Sequence, residues 1–273
     1  MQALIMEKKL RAYTLFSSSS GNCSYVQYGS DRLLIDAGAS AKAINEALLS
    51  LDTELSKING IFISHEHGDH TRGLQTISKR YGIPIYTSAK CMDYIALSHP
   101  DAEKQLIEVE GGDRVHIGDV SVSIYPTPHD SVRSFCYRIQ AGSTELGYAT
   151  DIGHISDAVQ DAVFGCDAVL IESNHDIEML ENGPYNQALK RRILGKKGHL
   201  SNDSCACLAP VLARCGTGSI VLAHLSETNN TPEKAYTASR DKLREYGVSI
   251  AGETFAADLR LAVAQPKGVV QII

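Results

Sequence analysis

The residues Ser64-His65-Glu66-His67-Gly68-Asp69-His70 place four metal-binding side chains within six positions. His65 and His67 are two apart, so an extended or tightly turned segment aims both imidazoles the same way. Asp69 and His70 follow at once and can serve a second ion a few ångströms off. Left uncoordinated, four such groups directly behind an apolar run would be costly polar crowding at a sheet edge. A lone surface histidine usually means nothing; this cluster reads as a metal site. Imidazoles with carboxylates suit zinc, with manganese or iron as competitors.

Further ligand-type residues occur where apolar runs end: His129 in YPTPHDS, Asp151 in YATDIG and His224 in VLAHLSE. Each alone reads better as a capped or core polar residue. Beside the cluster their recurrence is informative, because strand ends on one edge converge on one site. Asp36, in RLLIDAG, is placed to orient a histidine ligand by accepting its second N–H. The segment IESNHD then supplies Glu172 and His175, and KRRILGKKGHLSN supplies Lys190, Arg191, Arg192, Lys196, Lys197 and His199. Ser201 is a good N-cap, so His199 would lie where a helix N-terminus is electropositive. The basic run could track a phosphate backbone; its plainer meaning is a solvated helix face. Tyr185 could stack a terminal base, although packing is the commoner role. His99 and His116 fit no ligand position, and His154 is near enough only to touch substrate.

The elements that must position these residues follow from periodicity and punctuation. Strands are expected at AYTLF, SYVQYG, RLLIDAG, INGIFIS and PIYT, with helices at SAKAINEALLSL (Ser40 as N-cap), GLQTISKRYG and SAKCMDYIAL. The middle is strand-rich: KQLIEVE, DRVHI, DVSVSIYPTP, SFCYRIQ and TELGYATDIG. Helices follow at ISDAVQDAV, NQALKRRILG, SNDSCACLAPVLARCG and TPEKAYTASRDKLREYG. They alternate with strands at CDAVLIESN and TGSIVLAH, then VSIAG and DLRLAVA. The order β-rich then helical recurs once in each half. That predicts an α+β, four-layer αβ/βα sandwich. An open doubly wound sheet is the alternative, weakened because no Gly-rich phosphate fingerprint follows the first strand.

At 273 residues, without linker, low-complexity segment or fixed-period repeat, the chain is expected to form a single domain, 1–273. Its net charge of −6 argues against a generally basic nucleic-acid coat but leaves room for a local patch. No apolar run approaches the roughly 20 residues of a membrane span, and the N-terminus lacks the pattern of a secretory signal. The seven cysteines are scattered with no C-x-x-C pair, which suits seven core fillers in a reducing cytoplasm.

H-x-H-x-D-H followed by His129, Asp151 and His224 at strand ends resembles the metallo-β-lactamase-fold superfamily over the whole length. The resemblance implies a dinuclear site: His65, His67 and His129 on one ion, Asp69, His70 and His224 on the other, and Asp151 between them. It also implies hydrolysis, because oxygen-reducing diiron relatives carry a carboxylate at the place of His67. Glu172 and His199 resemble the pair that protonates the leaving oxygen in phosphodiesterases of this fold, so Asp69, Glu172 and His199 are the catalytic candidates. The SSSSGN loop, SHEHGDH, PHDS, ATDIG, IESNHD and KRRILGKKGHLSN together are similar to the YycJ/WalJ-type group, which implies 5′-to-3′ exonuclease action on DNA rather than RNA.

Other members of the superfamily fit less well. Only twenty residues separate Asp130 from Asp151, too few for the protruding arm of tRNA-processing relatives. The stretch from Asp151 to His224 is too short for the inserted domain of the β-CASP nucleases. A small-molecule thioester or lactone hydrolase on the same metal core is the alternative function, and a non-enzymatic metal- or nucleic-acid-binding module the third. The polar stretch FSSSSGNCSYV is expected to be a turn beside the metal edge, with Ser19, Ser20 and Asn22 contacting substrate or ordering the loop.

Overall fold

The structure, a computed structural model, describes residues 8–252 and 259–273. The chain opens with two antiparallel hairpins, β1 (Leu10–Ser18), β2 (Gly21–Tyr28) and β3 (Asp31–Ile35); only the start of β1 alternates buried and exposed, and further in the strands are buried on both faces. It then alternates: α1 (Ala41–Leu49), β4 (Gly60–Phe62), α2 (Gly68–Thr71), α3 (Leu74–Tyr81), β5 (Ile85–Thr87), α4 (Ala89–Ser98) and β6 (Leu106–Glu108). Helical crossovers allow parallel pairing, and β3 through β6 are parallel neighbours. Ser40 caps α1, its side chain accepting from Ala43 N, and Gly82 ends α3 in the left-handed conformation.

The second half repeats the scheme. Antiparallel β7 (Arg114–Ile117), β8 (Val120–Pro126), β9 (Phe135–Ala141) and β10 (Thr144–Ala149) come first. Then α5 (Asp157–Val163), β11 (Ala168–Glu172), α6 (Ile177–Asn182), α7 (Gln187–Ile193), α8 (Asn202–Arg214), β12 (Ser219–Ala223), α9 (Pro232–Glu245) and β13 (Arg260–Val263) add parallel strands. A last short strand, β14 (Val270–Gln271), returns to pair with β1. Among the described residues the strands form two seven-membered sheets, ordered β14-β1-β2-β3-β4-β5-β6 and β13-β12-β11-β10-β9-β8-β7.

The cores account for the layers. Apolar residues of both sheets, including Val26, Leu33, Phe62, Val122, Tyr137 and Leu170, meet in one cluster between them. Ile44, Leu48, Ile77 and Ile95 seal the first sheet's outer face under α1, α3 and α4. Val159, Leu208, Leu212 and Leu243 do the same for the second under α5, α8 and α9. The expected α+β four-layer sandwich is borne out.

Several expectations need correction. The run INGIFIS holds only the three-residue β4, because the chain leaves the sheet after Phe62 to build the metal-ligand loop. At VSIAG there is an isolated bridge from Ile250 to Leu259 rather than a strand, and Asp258, the first residue of DLRLAVA, lies outside the described residues. The chain closes not at DLRLAVA but on β14, a strand in a segment with no assigned element, which joins the first sheet. Helix α6 occupies a segment with no assigned element. Five cysteines are buried, but Cys207 and Cys215 are exposed, so not all seven fill the core. In FSSSSGN the strands run further than expected: β1 reaches Ser18, β2 starts at Gly21, and Ser19–Ser20 alone make the turn.

Candidate metal centre

The ends of β3, β4, β8, β10, β11 and β12 come to one edge of the sandwich, and each delivers polar side chains there. Asp36 follows β3, Ser64 to His70 follow β4, and His129 follows β8. Asp151 follows β10, Glu172 ends β11, and His224 follows β12. Asp36, Asp151 and His224 all take positive φ, of 63°, 55° and 56°, which is costly for residues other than glycine. Strain of that kind persists where surrounding bonds over-determine a site.

Asp36 is fully buried. Its Oδ1 accepts the backbone N–H of Ser64 at 2.8 Å and the Ser64 hydroxyl at 2.9 Å, while Oδ2 lies 2.8 Å from His70 Nδ1. With Nδ1 engaged there, Nε2 of His70 is aimed inward, 3.3 Å from both Asp69 Oδ2 and Asp151 Oδ2. His65 is buried with Nε2 3.0 Å from His67 Nδ1, and the His129 ring stands 5.0 Å from that of His65 and 5.3 Å from that of His67. His129 Nδ1 meets the carbonyl of Gly198 at 3.2 Å, and its Nε2 has no hydrogen-bond partner. Asp151 lies at the centre: its Oδ1 is 3.6 Å from both His129 Nε2 and His224 Nδ1.

Glu172 is buried and uses every acceptor it has. Oε2 takes the backbone N–H groups of Ile152 and Leu200 at 2.9 and 3.0 Å, while Oε1 lies 2.8 Å from His199 Nδ1 and 2.7 Å from His224 Nδ1. His199 keeps 20% of its side chain exposed, at the rim of the cluster.

The donor set fits divalent cations. Ligand atoms of His65, His67 and His129 lie within 4.8 Å of one another, as do those of Asp69, His70 and His224. Asp151 forms such groups with His65 and His70, and with Glu172, His199 and His224. Buried Nε2 atoms of His129 and His224 and Oδ2 of Asp151 lack hydrogen-bond partners, which is expensive unless a cation completes them. The charge balance agrees. Burial opposes a charged His224, yet Asp151, Asp69 and Glu172 outweigh it and hold the imidazole up at about 10. His70 is likewise raised against burial by Asp36, Asp151 and Asp69. The carboxylates thus draw positive charge into the cluster. His65 goes the other way: burial first, then the neighbouring histidines, keep it neutral with a free lone pair.

Substrate-side residues divide. Ser19 is exposed and lines a cavity against His199. Ser20 is tied down: its hydroxyl donates to Glu227 Oε1 at 2.7 Å, and its carbonyl accepts from Arg72 at 2.9 Å. Asn22, expected to contact substrate or to order the loop, is buried; its amide donates to Ser18 O at 2.9 Å and reaches His70 Nε2 at 3.2 Å, so it braces the ligands and does not face substrate. Lys190 is also buried, its ammonium committed to the carbonyls of Glu181 and Gly183 at 2.7 and 2.8 Å, which removes it from any substrate path. His175 lies buried beneath the surface, and burial pushes its imidazole down to about 4, so it too is withdrawn from substrate. Helix α7 stops at Ile193, so the basic run is not one helix; exposed Arg191 and Arg192 are on it, while Lys196 and Lys197 sit in the turn beyond. Arg192 Nε is hydrogen-bonded to Asp130 Oδ2. His154 holds the carbonyl of Lys196 through Nδ1 at 2.9 Å.

One residue in the central motif had no role assigned by spacing. Glu66 Oε1 accepts the backbone N–H of Val132 at 3.1 Å, tying the loop that carries His129 to the loop that carries His65 and His67. Its only sequence signal is a carboxylate inside the motif.

Comparison with known proteins accords with this geometry. The chain is 34% identical to "Exodeoxyribonuclease YycJ" of Bacillus anthracis, across 88% of this chain and 91% of that protein. It is 32% identical to "Exodeoxyribonuclease WalJ" of Streptococcus pneumoniae, across 92% and 95%. The crystal structure of the metallo-beta-lactamase fold protein YhfI from Bacillus subtilis superposes with a TM-score of 0.68 at 16% identity, across 96% of this chain and all of that one. The Beta-lactamase superfamily domain model matches residues 31–225, the span that carries Asp36 and every ligand-type residue described above through His224, and the chain belongs to that superfamily.

Proposed function

We propose that the protein is a metal-dependent phosphodiesterase acting on nucleic acid, a 5′-to-3′ DNA exonuclease with two zinc ions resident. His65, His67 and His129 would hold one ion, Asp69, His70 and His224 the other, with Asp151 shared. When bound, such ions polarise a phosphoryl oxygen and make water nucleophilic near neutral pH. The rest falls to the chain. Asp36 keeps His70 Nε2 turned inward, and Glu66 and Asn22 hold the ligand loops together.

The observation that carries the reading is the Glu172–His199 pair at 2.8 Å, anchored by two backbone N–H groups and opening at the rim. Burial disfavours a charged His199, but Glu172 and Asp151 raise its proton affinity above the ordinary value. With Nδ1 on Glu172, Nε2 is the atom that delivers a proton outward. A phosphodiester releases an alkoxide, which needs that proton. A thiolate leaves without one, since a free thiol has a pKa of about 8.5, so the pair adds little to a thioesterase. The names of the two bacterial relatives support DNA as the polymer. Seven unpaired cysteines accord with a cytoplasmic setting. Among the described residues no helix is long and apolar enough to cross a membrane.

His67→Ala and Asp69→Ala are expected to abolish cleavage of linear DNA while circular dichroism shows the fold retained. End-labelled duplexes report the direction of digestion. Robust nuclease activity in chelator-treated protein would refute the reading.

A further inference from the structure

A cavity of about 140 Å³ adjoins the metal centre at His199. Its lining is chemically divided. Tyr185, Leu189 and Ile193 contribute apolar surface, while Arg192, the Asp130 carboxylate paired with it, Ser19 and His199 contribute charge and hydrogen-bonding groups. Leu189 and Ile193 are four apart on α7, so one face of that helix presents both, with Arg192 beside them. The Arg192 side chain is 53% exposed, and its bond to Asp130 uses Nε. Its two terminal nitrogens have no partner among the described residues, and these form the fork that receives a phosphate.

Tyr185 sits in the turn between α6 and α7. The buried Lys190 ammonium holds that turn from below through the carbonyls of Glu181 and Gly183. A buried lysine is expensive to keep, and this one is satisfied by the backbone that carries an aromatic ring to the cavity.

We propose that this cavity is the end-binding subsite, taking the terminal nucleotide of the strand, with its base against Tyr185 and its phosphate on Arg192. Lys190 is the positioning residue for Tyr185. The assignment rests on the nucleic-acid reading above. The volume is below the 300–1,000 Å³ typical of sites for drug-sized ligands, so the cavity takes no more than a single base, with the phosphate at the exposed Arg192 rim, and not a stacked run. A one-nucleotide subsite against the proton donor makes nucleoside monophosphates the expected product.

The test is calorimetric binding of deoxyadenosine 5′-monophosphate, deoxyadenosine 3′-monophosphate and inorganic phosphate to zinc-supplemented protein. One of the two nucleotides is expected to bind at least tenfold tighter than phosphate, and which one identifies the end that is held. Tyr185→Ala should weaken nucleotide binding about tenfold, within the range measured for base–aromatic stacking, and leave phosphate binding within twofold. Tyr185→Phe should restore it. Arg192→Gln should weaken nucleotide and phosphate alike, and Lys190→Met should follow Tyr185→Ala. Should Lys190→Met fail to fold, the Tyr185 pair still decides. Nucleotides binding no tighter than phosphate, or Tyr185→Ala weakening both equally, would overturn the assignment. Protein that binds the nucleotide through Tyr185 and Arg192 but leaves linear DNA intact would keep the subsite and remove the nuclease reading.

Discussion

At the Asp36 carboxylate, one oxygen takes both polar hydrogens of Ser64 and the other faces His70 Nδ1 at 2.8 Å. Loss of such an outer partner typically costs 10–100-fold in metal affinity. Asp36→Asn should therefore weaken zinc binding by about that factor in a chelator competition; unchanged affinity would mean that other contacts orient His70. His199 poses a different case, because it meets Glu172 at the rim and is not one of the assigned ligands. His199→Ala should keep its metal by elemental analysis yet cleave DNA about 10²–10⁴-fold more slowly, the usual weight of a general acid. A diester with a nitrophenol leaving group should lose far less, since that anion departs unaided. Equal losses on both substrates would assign His199 to the metal centre instead of to proton transfer.

The elements meet so closely at this edge that single glycines decide whether it forms. A Cβ on Gly38, just after β3, would stand 1.6 Å from the carbonyl oxygen of Asp69 and 2.6 Å from the backbone nitrogen of Asn22. Gly38→Ala must then push the α2 loop away, at a cost of about 1–3 kcal/mol or more and with loss of the ion near Asp69. Urea denaturation and metal content would report the two effects. Gly68, inside the H-x-H-x-D-H motif, has nothing within 4 Å of the same added atom. Gly68→Ala should change stability by less than about 0.5 kcal/mol. Motif position alone would rank these two glycines in the opposite order. Glu66 makes the same point: its bond to Val132 N couples the β4 loop to the β8 loop. Spacing cannot show that contact, because its partner lies far along the chain.

Across the molecule, two sheets with separate helical layers meet at a buried cluster rich in carboxylates and imidazoles, so metal binding and folding are linked. Free zinc at about 100 times its dissociation constant should add roughly 2.7 kcal/mol per site. Scanning calorimetry with zinc and with chelator should show a clear rise in Tm, and a zinc-independent Tm would argue against a native-state site. The layers themselves were legible from the chain. Alternating runs such as VSVSIYP and amphipathic runs such as ISDAVQDAV specify strand or helix locally, and their order implies two αβ halves. The ligand types were legible too, since His65, His67, Asp69 and His70 stand together and the others end apolar runs. Local pattern could not say that β14 would pair with β1, with Gln271 opposite Tyr13 and Val270 opposite Thr14, because only closure of the sandwich brings the C-terminus there. Nor could it say that Asn22, His175 and Lys190 would be buried while Ser19 and Arg192 stayed open. A polar residue reads the same in sequence whether its partner is water or a distant backbone carbonyl. By itself, then, the sequence determined which elements form and which groups can bind metal. Only the tertiary structure decided which groups meet, because meeting depends on contacts between residues far apart along the chain.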